Sequence, residues 1–292
     1  RLSRMAEGAP ALALPLTVLF GTGFLAVCCC VAARFQAVWV LRAVPLVPAA
    51  GAAAYLVREM REKKRRGALR LPAPTPGQRL LALLACTLIF LCGFSNVIKY
   101  AHPSRAGSIL IDQDFLWMVG NAKSFELAFP SIDIRFYNVR FAYHYLTELL
   151  CAAFGMVTGL DCYDLHAYYL QPLWLAALVG CLYCLGRVFY GAARRDKALL
   201  FAFSPFVFSC ASLWAVVPNG QSLVGNSLIT HLLTNITSQA TATVFLCIYC
   251  CLFFTIARQG FHVPAVQLVV LLCSFVLLTV AKGPVALIAG LG

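Results

Sequence analysis

Apolar runs of membrane-crossing length recur along this chain, and they leave few architectures open. A helix needs about 17–25 apolar residues to cross the hydrocarbon core of a bilayer. Runs of that kind cover residues 11–33, 38–57, 80–98, 168–190, 198–217, 240–257 and 264–281. Two more fit less well: 145–160 is short and holds Glu148, and 285–292 reaches the last residue. The chain therefore carries seven to nine spans. Composition agrees, at 61% hydrophobic and 12% charged, whereas a soluble domain is about a quarter charged. Backbone groups in lipid must be satisfied within their own segment, which favours helices. The expected fold class is an all-α polytopic membrane protein: a helix bundle with one long external loop carrying interfacial helices.

Charge fixes the expected orientation. The net charge is +12, and residues 58–79 alone hold eight basic side chains against two acidic ones. Such a run reads as a cytoplasmic loop, with attraction to anionic lipid headgroups as an accompaniment. It lacks interleaved stacking aromatics, so no nucleic-acid partner is expected. Run 11–33 is too long for a signal sequence and has no small-residue cleavage site, so it reads as a span. The expected division is 1–79, two N-terminal spans and the basic loop, then 80–292, the core with its external loop 100–143. The sequence begins without Met and stops inside an apolar run. It is expected to be a piece of a longer protein, cut at the C-terminal end. Beyond the loop two topologies remain. If 145–160 crosses, the basic turn Arg194, Arg195, Lys197 falls outside, against the positive-inside rule. If 145–160 only dips into the membrane, that turn is cytoplasmic and the polar stretch 218–239 lies outside, beside the acidic loop.

Most of the fourteen cysteines sit within apolar runs. There a thiol behaves as a small hydrophobe. Cys181 with Cys184, and Cys247 with Cys250, have a metal-like spacing but no polar neighbours, so packing is the expectation.

The chemistry is expected in the polar segment. Seven of the eleven acidic residues fall between Asp112 and Asp164, and Asp112, Asp114, Glu126 and Asp133 lie in the loop. Carboxylates are costly in hydrocarbon, so their concentration in one loop marks a functional region. Asp112 and Asp114 are two residues apart, and on an extended segment they point the same way. They can then share a divalent cation or a substrate hydroxyl, or raise one another's pKa toward that of a general base. Phe115 and Trp117 offer apolar surface where a lipid-linked substrate arrives. Lys123, Arg135 and Arg140 follow; a guanidinium pairs bidentately with phosphate, so Arg135 or Arg140 is expected to hold one. His144, between Tyr143 and Tyr145, fits an aromatic belt or a hydrogen bond to sugar or phosphate. His231, among uncharged polar residues, suits sugar hydroxyls. Lys282 is a further phosphate contact or a snorkelling lysine. Asp161 and Asp164 read as helix caps.

One resemblance draws these residues together. Asp112 and Phe115 in an Asp-x-x-Phe pattern, then Tyr143-His144-Tyr145-Leu146, then an apolar helix closing on Thr158-Gly159-Leu160, resemble the bacterial multi-spanning glycosyltransferases of the GT-C type. Protein-mannosyltransferases and aminoarabinose transferases belong to that group. The resemblance covers roughly residues 80–292. It implies a polyprenyl-phosphate sugar donor, an acid of the first external loop as catalytic or metal-contacting group, and a glycan, lipid or protein acceptor. By position Asp112 matches that acid best, with Asp114 next. It also implies a bacterial plasma-membrane location. Two N-terminal spans are extra, and the His-Pro-Pro-Leu motif of the mannosyltransferases is missing, so the sugar and acceptor stay open. Competing expectations are a transporter or flippase for a lipid-linked or small solute, and a non-catalytic membrane scaffold.

Overall fold

A computed structural model describes residues 10–65, 76–99, 113–136, 138–191, 194–211, 238–260 and 263–291. Among them the chain is helical apart from one isolated bridge between Ile132 and Arg140. A 3-10 turn, Pro10–Leu12, opens α1, Ala13–Phe35. There follow α2, Val38–Ala43; α3, Leu46–Arg65; α4, Pro76–Lys99; α5, Gln113–Leu127; and α6, Leu146–Thr158. Next is α7, Cys162–Tyr190, with a π-helical stretch at Leu165–Leu170. The last four are α8, Arg195–Ala211; α9, Ser238–Arg258; α10, Ala265–Ala281; and α11, Gly283–Leu291.

Four of these segments are long and apolar enough to cross a membrane: Ala13–Phe35, Val38–Glu62, Cys162–Tyr190 and Ser238–Arg258. That is fewer than the seven to nine read from the sequence. The run 264–281 forms the 17-residue α10, and 145–160 forms the 13-residue α6. The run 80–98 lies within the 24-residue α4.

Contacts along the helices fix their directions. Trp174 meets Phe245 at 6.3 Å between ring centroids, Cys251 Sγ donates to the Cys181 carbonyl at 3.8 Å, and Arg258 donates to the Phe189 carbonyl at 2.7 Å. Residue numbers rise together, so α7 and α9 run parallel. Leu14 packs at Gly180, and Thr17 to Leu25 share a groove with Leu173 to Ala177, so α1 runs antiparallel to α7. The other connections are hairpins, α7 to α8 and α9 to α10. A side chain built at Gly77 would lie 3.7 Å from Asp196 Oδ1. The start of α4, which follows the basic run, therefore sits at the Arg194–Lys197 turn. Arg79, Arg187, Arg194, Arg195, Lys197 and Arg258 thus gather at one end of the bundle.

Contacts at the opposite end place both ends of the run 145–160. His144, just before α6, meets Ser238 at the start of α9, and Tyr145 N–H donates to the Val280 carbonyl near the end of α10 at 3.1 Å. At the far end of α6 the Met156 carbonyl accepts from Arg42 at 3.2 Å, and Asp161 opens α7. Both ends of α6 therefore lie at the end of the bundle away from the basic turn. Its 13 residues span about 20 Å at 1.5 Å per residue, too short for a core of about 30 Å. The helix is buried along most of its length, and Thr147 Oγ1 and Thr241 Oγ1 tie it to α9 at 2.8 Å.

Two outward helix faces are as apolar as the core. On α10 the inward stripe is Val270, Ser274, Leu278 and Ala281, while Leu268, Leu272 and Val276 face outward at four-residue spacing. On α1, Phe20, Phe24, Val27, Val31 and Phe35 form a second exposed stripe. A helix that is apolar all round is either enclosed by protein or surrounded by lipid.

The α7–α8 hairpin packs through Gly186. A Cβ there would lie 2.8 Å from Ala198 Cα and 2.9 Å from its carbonyl oxygen, so only glycine permits this backbone approach. Gly186→Leu is expected to destabilise the protein by roughly 1–3 kcal/mol, read as a lowered midpoint of thermal unfolding in detergent. Gly51→Ala, where nothing lies within 4 Å of the new carbon, is the near-neutral control.

Candidate functional site

The site grows from the end of the bundle opposite the basic turn. Asp114, exposed, occupies the first turn of α5. The helix holds its place through Phe115, which is buried and meets the Tyr163 ring edge-on at 5.2 Å. Trp117, one turn inward, contacts Phe141 at 5.8 Å and Tyr143 at 5.4 Å. Asp112 and His231 lie outside the described residues. Asp112 directly precedes α5 in the chain.

Arg135 is already engaged. Asp133 accepts from its Nε at 3.0 Å, from its terminal nitrogen at 2.8 Å and from its backbone N–H at 3.0 Å. Its guanidinium carbon sits 4.3 Å from the Trp117 ring centre, a cation–π contact. Asp114 and Tyr143 are near enough to strengthen its hold on its proton further. The guanidinium beside Asp133 draws that carboxyl down to about 2. The same turn pairs Asp133 N–H with the Val139 carbonyl and Phe141 N–H with that of Ser131. Arg140 is exposed and pairs through its backbone with Ile132.

A group with a depressed pKa stabilises the fold above its unfolded value and loses that contribution as pH falls through the folded one. The Asp133–Arg135 turn should therefore hold down to 3.8 and loosen toward about 2. Fluorescence of Trp117, with the other three tryptophans replaced by phenylalanine, should be flat above that window and change within it.

His144 and Lys282 form the other wall. His144 Nε2 and Ser238 Oγ share a 2.7 Å hydrogen bond, and the His144 ring lies 3.6 Å from that of Tyr143. Burial, then the nearby Lys282 ammonium, lowers the His144 pKa to about 4, so the imidazole is neutral at pH 7. Lys282 sits between α10 and α11, half-buried. Burial lowers its pKa too, and no carboxylate pairs with it among the described residues. A half-buried cation beside a neutral hydrogen-bonding pair is a place suited to an anion.

Lys123 lies elsewhere. It is about two and a half turns along α5 from Asp114, and its Nζ is 2.7 Å from Glu126 Oε2 and 3.9 Å from Asp161 Oδ2. The structure thus gathers Asp114, Arg135, His144 and Lys282 at the elements that begin α5, α6 and α9 and end α10, and leaves Lys123 at the far end of α5. Sequence reasoning passed over Ser238, which carries no signal beyond opening an apolar run. It noted Glu148 without giving it a role. That carboxylate is 1% exposed, and its Oε2 has no partner; Asn121 and His166 are likewise buried without hydrogen-bond partners among the described residues. Cys181, Cys184 and Cys247 are free thiols buried in the core, and Cys250 is free and partly buried. Among the described residues no three His, Cys, Asp or Glu side chains are arranged to hold a metal ion.

Comparison with protein families, with characterised proteins and with solved structures finds no match to this chain.

Proposed function

We propose that this protein is an integral membrane glycosyltransferase of the GT-C type, moving a sugar from a polyprenyl-phosphate donor to an acceptor on the non-cytoplasmic side. The membrane reading rests on the outward apolar stripes of α1 and α10 and on four helices of crossing length. The basic end faces the cytoplasm by the positive-inside rule. The Asp114, His144 and Lys282 end then faces outward.

The observation that carries the reading is Lys282, a half-buried cation with no carboxylate partner among the described residues, set beside His144 and Ser238 at the end where Asp114 opens α5. In the proposed reaction Asp112 takes the proton of the acceptor hydroxyl. The new bond forms at the sugar's anomeric carbon as its bond to phosphate oxygen breaks. The polyprenyl phosphate leaves as a stable anion, so it needs charge neutralisation rather than a general acid. Lys282 supplies that charge, because His144 is neutral and Arg135 is committed to Asp133. The test is transfer of radiolabelled sugar from polyprenyl phosphate in proteoliposomes, abolished by Asp112→Asn.

A second reading, a flippase for a lipid-linked solute, is favoured by the buried atoms of Asn121, Glu148 and His166 that have no partner among the described residues, since intramembrane polar groups mark translocation paths. Translocation of the donor without sugar transfer would select it.

A further inference from the structure

A cleft of about 520 Å³ opens at the far end of α5 and α6, separate from the candidate site. That volume is in the range of ordinary small-molecule sites. Val38, Arg42, Lys123, Glu126, Met156 and Asp161 are among the residues that line it. Its four charges cancel, two cations against two carboxylates, so it is not built for a simple anion.

The charges are unevenly used. Glu126 is spent: Oε2 holds Lys123, and Oε1 accepts from the buried Cys162 thiol at 3.2 Å. Gly155 makes room for this carboxylate, since any Cβ there would collide with Oε1. Arg42 uses only Nε, on the Met156 carbonyl, and its other N–H groups have no partner among the described residues. Asp161 Oδ1 caps Tyr163 N–H at 2.8 Å, while Oδ2 has, among the described residues, only the long 3.9 Å approach of Lys123. Arg42 and Asp161 line one cleft yet form no ion pair with each other. An unspent cation and an unspent carboxylate oxygen in one cleft suit a ligand that carries both charges.

The surroundings supply the rest of its chemistry. Val38 and Arg42 lie in the first turns of a segment of crossing length, beside Trp39, 67% exposed, as aromatics sit at a membrane boundary. Leu127, which lines the cleft, is 69% exposed. We infer that this cleft binds the headgroup of a zwitterionic phospholipid bearing a primary ammonium, with phosphate on Arg42 and ammonium on Asp161. The lipid origin of the ligand rests on the membrane reading above, but the site is independent of sugar transfer.

The test is calorimetric titration of the purified protein in detergent with dihexanoyl-phosphatidylethanolamine. Saturable binding is expected. Dihexanoyl-phosphatidylglycerol, which lacks the ammonium, should bind on the order of tenfold or more weaker. Arg42→Ala and Asp161→Asn should each weaken phosphatidylethanolamine binding by a similar factor. Asp161 is exposed, so its variant keeps the fold, and Arg42→Lys, which preserves charge, should retain part of the binding. Equal binding of the two lipids, or no change in either variant, overturns the site. Glycerophosphoethanolamine binding as tightly as the lipid overturns the membrane source. Because no transfer is measured, these results stand apart from the glycosyltransferase reading.

Discussion

Asp112→Asn is expected to slow sugar transfer by roughly 10²–10⁴-fold, with normal expression and an unchanged unfolding midpoint. The substitution keeps size and hydrogen-bonding shape and removes only the base. A hydroxyl acceptor is a poor nucleophile until its proton is taken, and of the two loop acids Asp112 matches the catalytic position of the resembled family. Asp114, two residues on, is fixed in the first turn of α5 by the burial of Phe115 beside it. Its carboxylate is near enough to the Arg135 guanidinium to act on it, so it already has an electrostatic partner. Asp114→Asn should therefore cost less. Near-parental transfer by the Asp112 variant would remove that residue from the mechanism.

Lys282→Ala is expected to weaken binding of the polyprenyl-phosphate donor on the order of ten- to a hundredfold, while leaving acceptor affinity alone. Lys282→Arg should restore most of it. The sequence pointed first to Arg135 or Arg140 for this role, because a guanidinium grips phosphate with two parallel bonds. The fork of Arg135 is instead closed on Asp133, by contacts of 3.0 and 2.8 Å. Breaking that pair to bind phosphate would strand a carboxylate that is itself buried. Fluorescence or calorimetric titration with donor separates the two: a loss at Arg135 with none at Lys282 would return the role to the arginine.

Helix identity was legible where a run was long. The residues 11–33, 168–190 and 240–257 became α1, α7 and α9 with their ends shifted by a few positions. Short runs were less legible, since 145–160 is too short to cross yet too apolar for an ordinary loop. Its placement is decided by His144 meeting Ser238 and by Arg42 meeting the Met156 carbonyl, contacts across 94 and 114 residues. No local pattern encodes such pairings. For the same reason the sequence grouped Lys123 with Arg135, although a helix 15 residues long separates the ends on which they sit. The Asp133–Arg135 pair is only two residues apart, but its consequence depends on Trp117 lying beneath the guanidinium. The nature of Lys282 was visible, while its lack of a carboxylate partner among the described residues emerged only from packing.

The central claim is that the end of the bundle holding Asp114, His144 and Lys282 transfers a sugar from a lipid phosphate. Proteoliposomes holding the protein, a polyprenyl-phosphate donor labelled in its sugar and a hydroxyl acceptor test it directly. The account predicts label in the acceptor, one polyprenyl phosphate released per sugar moved, and loss of both with Asp112→Asn. Label that stays on the polyprenyl phosphate while crossing to the other leaflet would contradict it.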